Sequence, residues 1–97
     1  MAQKLNDQQV QLELNNRVGW RGEQGKIVKR FEFKSFRLAF GFVTAVALAA
    51  ERADHHPDVF IFYNKVDLKL STHSAGGLTD KDFALADQID LLGPGRL

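Results

Sequence analysis

Residues 57–72 read PDVFIFYNKVDLKLST, and the fold turns on how they pair. After Pro57 the run DVFIFYN is strand-like and almost wholly apolar. VDLKLST then alternates, with Val66, Leu68 and Leu70 on one face and Asp67, Lys69 and Ser71 on the other. Asn64 and Lys65 supply a tight loop, so the two runs predict a hairpin with one apolar face. In that register Tyr63 faces Val66, Phe62 faces Asp67, Phe60 faces Lys69, Asp58 faces Ser71 and His56 faces His73.

A second hairpin lies upstream. Val18 to Arg21 and Lys26 to Lys34 are predicted strands around the turn GEQG, with Ile27, Lys29, Phe31 and Phe33 alternating against Val28, Arg30 and Glu32. Three helices surround these hairpins. NDQQVQLELN, residues 6–15, carries only a narrow apolar stripe of Val10 and Leu14 and belongs on the surface. Ser35 is placed to cap a long helix, Phe36 to Ala53, with one stripe of Phe36, Phe40, Val43 and Ala47 and a second of Leu38, Phe42, Val46 and Ala49. A helix apolar over so much of its circumference needs cover beyond its own sheet: it is either a deeply buried core helix or one whose second stripe also faces a partner subunit. Thr79 opens the last helix, TDKDFALADQID, with Thr79 and Asp82 spaced as a capping box. The order α-β-β-α-β-β-α predicts a two-layer α+β fold, a four-stranded antiparallel sheet with helices on one face.

Composition bounds the function. The 97 residues, 44% of them apolar, suffice for one domain with one core, taken as 1–97. Thirteen basic and twelve acidic residues give a net charge of +1 spread along the chain, so no footprint for direct nucleic-acid binding stands out. Without cysteine there are no disulfides, thiolate metal sites or cysteine nucleophiles. The polar opening MAQKLNDQQVQ lacks the apolar core of a signal peptide, and LAFGFVTAVALAA falls short of the ~20 residues that span a bilayer. A cytoplasmic protein with no membrane contact is expected.

The three histidines concentrate the chemistry. His55 and His56 precede Pro57, and His73 follows the second strand of the hairpin. If pairing continues past Pro57, His56 and His73 become cross-strand neighbours, Cβ atoms roughly 5 Å apart, beside Phe60 and Phe62 on the face away from the helices. Imidazole titrates near neutrality, so one ring can take a proton while another gives one, which suits elimination or addition of water. Carboxylates to orient or charge the rings are at hand: Glu51 one helical turn before His55, Asp54 adjacent, and Asp82 at the head of the last helix. A three-histidine zinc site is the rival use of these rings, but adjacent histidines diverge in extended chain and no H-E-x-x-H helix is present. Gly76-Gly77 before Thr79 lacks the Lys or Arg of a phosphate loop and reads as a flexible turn.

The spacing Glu51, three residues, His55-His56-Pro57, five residues, Tyr63, nine residues, His73, eight residues, Asp82 closely resembles the signature of the pterin-4a-carbinolamine dehydratase family. Similar segments run along nearly the whole chain: Gly19-Trp20, FEFKSF, YNKVDLKLSTH, GGLT and DFALADQID. The resemblance implies dehydration of 4a-hydroxytetrahydropterin to quinonoid dihydropterin and water, recycling a tetrahydrobiopterin-type cofactor for aromatic amino acid hydroxylases without metal or organic cofactor. It implies that His55 and His56 act as general acid and base, that His73 helps bind and polarise the carbinolamine, and that Asp82 and Glu51 orient or charge the rings. Trp20, Asp54, Pro57, Phe60, Tyr63, Ser71 and Thr72 would line the substrate site. Two positions depart from the family pattern: Val59, where many relatives carry Trp, and Ile61, where some are polar. The resemblance also implies edge-to-edge dimers, tetramers through helical faces, functional coupling to a hydroxylase and, in some relatives, a second role as dimerisation cofactor of a homeodomain transcription factor, with a nuclear location.

Overall fold

The structure is a computed structural model and describes residues 2–94. The elements run α1 (Asp7–Asn15), β1 (Arg21–Glu23), β2 (Lys26–Glu32), α2 (Phe36–Ala53), β3 (Asp58–Phe62), β4 (Lys65–Leu70), a single 3-10 turn (His73–Ala75) and α3 (Asp80–Leu92). The four strands form one antiparallel sheet in the order β1-β2-β4-β3, which is the predicted α+β architecture.

Alternation decides which face is covered. Val66, Leu68 and Leu70 are fully buried while Lys65, Asp67 and Lys69 between them are only half-buried. With Ile27 and Phe31 they meet Ala39, Phe42 and Val46 of α2 and Phe83, Leu85, Ala86 and Ile89 of α3 in one core. Phe42 packs against Phe31 and Phe33, ring centroids 4.8 and 5.0 Å apart. The opposite face carries charge: Arg30 forks onto Asp67 at 2.7 and 3.0 Å. That hydrogen-bonded pair holds the Asp67 carboxyl below its usual range and raises the guanidinium.

Four expectations change. β1 begins at Arg21, not Val18, because Gly19 turns the chain at φ +86° and Val18 stands 90% exposed. β2 ends at Glu32, two residues short of Lys34. The β3–β4 loop is Tyr63-Asn64, so Phe60 pairs with Asp67 and Asp58 with Lys69, two positions away from the expected register. The turn is held there by the residue after β2: the Asn64 side-chain amide donates to the Phe33 carbonyl and the Phe33 N–H donates to the Asn64 carbonyl, both at 2.8 Å. Tyr63 takes the positive φ that the turn then requires. A slip of two keeps every side chain on its face, so the core is unaffected.

The fourth change is in α2, where burial cuts across both stripes: Val43 of the first packs against the core and Leu38 of the second is exposed. Phe42 and Val46 of the second stripe are buried in the core, whereas Phe36 and Phe40 of the first are 50% and 51% exposed. Leu48, in neither stripe, is also exposed.

The chain before β1, together with Lys29 of β2, is tied to α3 by polar contacts. Arg17 forks onto Asp87 at 2.9 and 3.0 Å with its guanidinium over the Phe83 ring, and Lys29 and the Trp20 indole both donate to Asp90.

Leu68, fully buried at the sheet centre, tests this core. Leu68→Ala should lower unfolding free energy in urea by about 2–5 kcal/mol through lost transfer energy and a residual cavity. A loss below about 1 kcal/mol would mean that Leu68 is not packed as described.

Candidate active site

Two helix ends build the site. α2 stops at Asp54, which adopts the left-handed conformation at φ 50° and ψ 44°. The Asp54 N–H donates to the Glu51 carbonyl at 3.2 Å and the His55 N–H to the Ala50 carbonyl at 3.1 Å. Those are the paired bonds of a Schellman motif, and Asp tolerates the left-handed position that usually takes Gly. The turn sends the next two side chains apart. His55 Nε2 lies 2.6 Å from Asp82 Oδ1, and His56 Nε2 lies 2.5 Å from Glu51 Oε2.

The other end is the start of α3. Thr79 caps the helix and Asp82, its third residue, accepts the Thr79 N–H at 3.0 Å through Oδ2. The same oxygen accepts the Thr72 hydroxyl at 2.8 Å. Asp82 is therefore a fully buried carboxylate with three donors converging on it, two on Oδ2 and His55 on Oδ1. An acceptor-only partner puts a proton on His55 Nε2 and leaves Nδ1 as the open ring nitrogen. Burial separates the two pairs: the His55 side chain is 11% exposed against 56% for His56, and Glu51 is 75% exposed.

The expected site residues divide into those the fold gathers and those it does not. His55, Asp82 and Thr72 form one buried cluster, and His56 and Glu51 form a separate, exposed pair. Glu51 meets His56 rather than His55 because the left-handed turn at Asp54 carries His55 towards α3. Asp54 is exposed, and Pro57, joined by a trans bond, and Ser71 are half-buried.

His73 is not the cross-strand neighbour of His56. Pairing ends at Asp58 with Lys69, and the two-residue slip would set Ser71 opposite His56. His73 instead begins the 3-10 turn, exposed, in a loop closed by the Thr72 N–H to the Gly77 carbonyl at 2.9 Å.

Phe60 and Phe62 do not floor the histidines either. They lie on the sheet face away from the helices, under Lys69 and Arg30 at 5.5 and 5.0 Å, while Asp82 and His55 sit on the helix side. Trp20 is a core residue of this chain, 5% exposed and bonded to Asp90, which is eight residues and roughly 12 Å along α3 from Asp82. Tyr63 occupies the turn at the far end of β3 from His56 and is 66% exposed.

Thr79 is the site component that the sequence disguised. Its spacing to Asp82 announced a helix cap, yet its hydroxyl also stands 2.6 Å from that of Thr72. Among the described residues no group of three His, Asp or Glu side chains converges as a metal site. Three surface hollows of about 470, 280 and 480 Å³ are lined by residues other than the histidines.

An antiparallel sheet with three helices, and adjacent histidines each in contact with a carboxylate, defines a small α+β protein. The chain belongs to the family described as Pterin 4 alpha carbinolamine dehydratase, which matches residues 3–92. A protein of Picosynechococcus named "Putative pterin-4-alpha-carbinolamine dehydratase" is 49% identical over 95% of this chain and 100% of its own length. One of the same name from Roseiflexus castenholzii is 51% identical over 93% and 97%. Among solved structures, a transcriptional coactivator/pterin dehydratase from Brucella melitensis superposes with a TM-score of 0.89 at 37% identity, covering 93% of this chain and 98% of that one. A pterin dehydratase-like protein identified as a RuBisCO assembly factor in the alpha-carboxysome gives 0.64 at 25%, covering 77% and 87%.

The two carboxylates should respond differently to removal. Asp82→Ala leaves the Thr72 hydroxyl and the Thr79 N–H without their buried acceptor and should cost about 1–3 kcal/mol of stability in urea unfolding. Glu51→Gln, at an exposed pair, should leave the transition midpoint unchanged. Equal effects would contradict the burial described.

Proposed function

We propose that this chain dehydrates a 4a-hydroxytetrahydropterin to quinonoid dihydropterin and water by histidine acid–base catalysis. The carrying observation is the pair of imidazole–carboxylate contacts made by adjacent residues, His55 with Asp82 and His56 with Glu51. The C4a–O bond breaks with its electron pair on oxygen, which takes a proton from an imidazolium and leaves as water, while a ring nitrogen of the pterin gives its proton to a neutral imidazole. Atoms and electrons balance without an oxidant. A carboxylate behind each ring steadies the imidazolium that forms on one side and orients the ring on the other.

In this reading His73 contributes from its loop, Asp54, Pro57, Ser71 and Thr72 shape the substrate's surroundings, and a second copy of the chain supplies whatever Tyr63 or Phe60 contribute. The whole chain acts as one cytoplasmic domain in a homodimer or homotetramer, serving an aromatic amino acid hydroxylase with no metal or organic cofactor. The family membership and the names of the relatives support this reading.

A second reading is favoured by a separate observation. Phe36, Phe40 and Leu48 leave an apolar face on α2 that the other described residues do not cover, and two structural relatives are described as a coactivator/dehydratase and an assembly factor. On this reading the chain is a docking module whose helical face binds a partner.

Stopped-flow absorbance of decaying 4a-hydroxytetrahydropterin separates the two. The wild type should accelerate decay above the spontaneous rate, and His55→Ala with His56→Ala should cut that acceleration on the order of 100-fold or more while keeping the circular dichroism spectrum. Full acceleration by the double variant would overturn the assignment. Phe40→Asp with Leu48→Asp should retain acceleration per folded chain and lower the mass seen in sedimentation. An unchanged mass would remove that face from the assembly.

A further inference from the structure

We infer that Thr79 is a positioning residue for the His55–Asp82 pair: its hydroxyl fixes the direction of the buried hydrogen-bond chain that holds Asp82 and, through Asp82, the ring of His55. The inference rests on reading His55 as an acid–base group, although its structural half can be read without turnover.

Donor bookkeeping carries the argument. Thr72, Thr79 and Asp82 are 3%, 0% and 0% exposed, so water does not supply missing partners. The Thr72 hydroxyl lies between Asp82 Oδ2 at 2.8 Å and the Thr79 hydroxyl at 2.6 Å, and it has one proton to give. A carboxylate only accepts, so that proton goes to Asp82. Thr79 must then donate its own proton to Thr72, while its oxygen accepts the Lys81 N–H at 3.2 Å. The chain thus runs one way, from the Lys81 amide through Thr79 and Thr72 to Asp82 Oδ2. The Thr79 N–H, 3.0 Å from the same oxygen, completes its set. Oδ1 is left to His55.

No buried side-chain nitrogen or oxygen among the described residues lacks a partner, so the network has no slack to absorb a loss. Without the Thr79 hydroxyl, Thr72 loses the donor that fixes its rotamer and the Lys81 N–H loses its cap. Asp82 then keeps its place through fewer bonds, and the His55 ring inherits that freedom. A threonine that merely capped α3 would matter for stability alone.

The test uses three variants of the full chain labelled with ¹⁵N-histidine. Thr79→Val removes the hydroxyl at nearly constant volume, Thr79→Ser keeps it, and Ile89→Val trims the core on the same helix away from the network. Thr79→Val should shift and broaden the His55 Nε2 resonance and lower kcat roughly 10- to 100-fold with KM within about twofold, as misplacement of a catalytic group does. Thr79→Ser should restore both, and Ile89→Val should lower Tm while moving neither.

If Thr79→Val lowers Tm yet leaves the resonance in place, or if Ser fails to restore it, the inference is overturned. In the wild type, a slowly exchanging Thr79 hydroxyl proton in contact with Thr72 is expected. A rapidly exchanging one overturns the inference whether or not the valine variant folds. Should the wild type fail to accelerate pterin dehydration, the functional reading falls while the resonance still decides the hydrogen-bond chain.

Discussion

A single buried carboxylate joins the architecture of this protein to its chemistry. Asp82 caps the first turn of α3 with one oxygen and holds the His55 ring with the other. Taking a carboxylate out of water is costly unless its lone pairs are satisfied, and here Thr72, Thr79 and His55 satisfy them together. The helix therefore starts where it does and the imidazole points where it does for the same reason. The opposite helix end completes the arrangement, since the left-handed Asp54 sends His55 inward to Asp82 and His56 outward to Glu51.

Those two pairs are unlike in environment. His55 is enclosed and its partner fully buried, so its ring orientation is fixed by packing as well as by hydrogen bonds. His56 and Glu51 are both largely exposed, which keeps their contact weak in isolation and open to a bound molecule or a second chain. A rigid ring beside an adaptable one suits a reaction in which one proton leaves and another arrives on the same small heterocycle. β3, at the sheet edge, leaves Val59, Phe60 and Phe62 exposed.

How far the sequence revealed this depends on the range of the interaction involved. Binary patterning in VDLKLST gave the buried face of β4 correctly because alternation is a local property. The hairpin register did not follow, since the Asn64 contacts with Phe33 reach across thirty-one residues and outweigh the local turn preference. Leu38, Phe42, Val46 and Ala49 looked like the outward stripe of α2 because a helix apolar on several sides gives no local sign of which side meets the sheet; packing against Phe31 and Phe33 chose Phe42. The sequence marks Asp82 as a carboxylate for the histidine rings, but its meeting with His55 and Thr72 is not legible there, as nothing local connects residues on three elements. Thr79 was seen for its cap and missed for its hydroxyl, because a capping box reads the same whether or not its acid has a second partner.

The most direct test of the central claim, that Asp82 holds the His55 Nε2 proton, is a long-range ¹H–¹⁵N spectrum of the wild-type protein with labelled histidine near neutral pH. His55 should show a protonated Nε2 with a slowly exchanging downfield proton, while exposed His73 shows rapid exchange and averaged nitrogens. A His55 ring protonated at Nδ1 alone, or exchanging as freely as His73, would contradict the account.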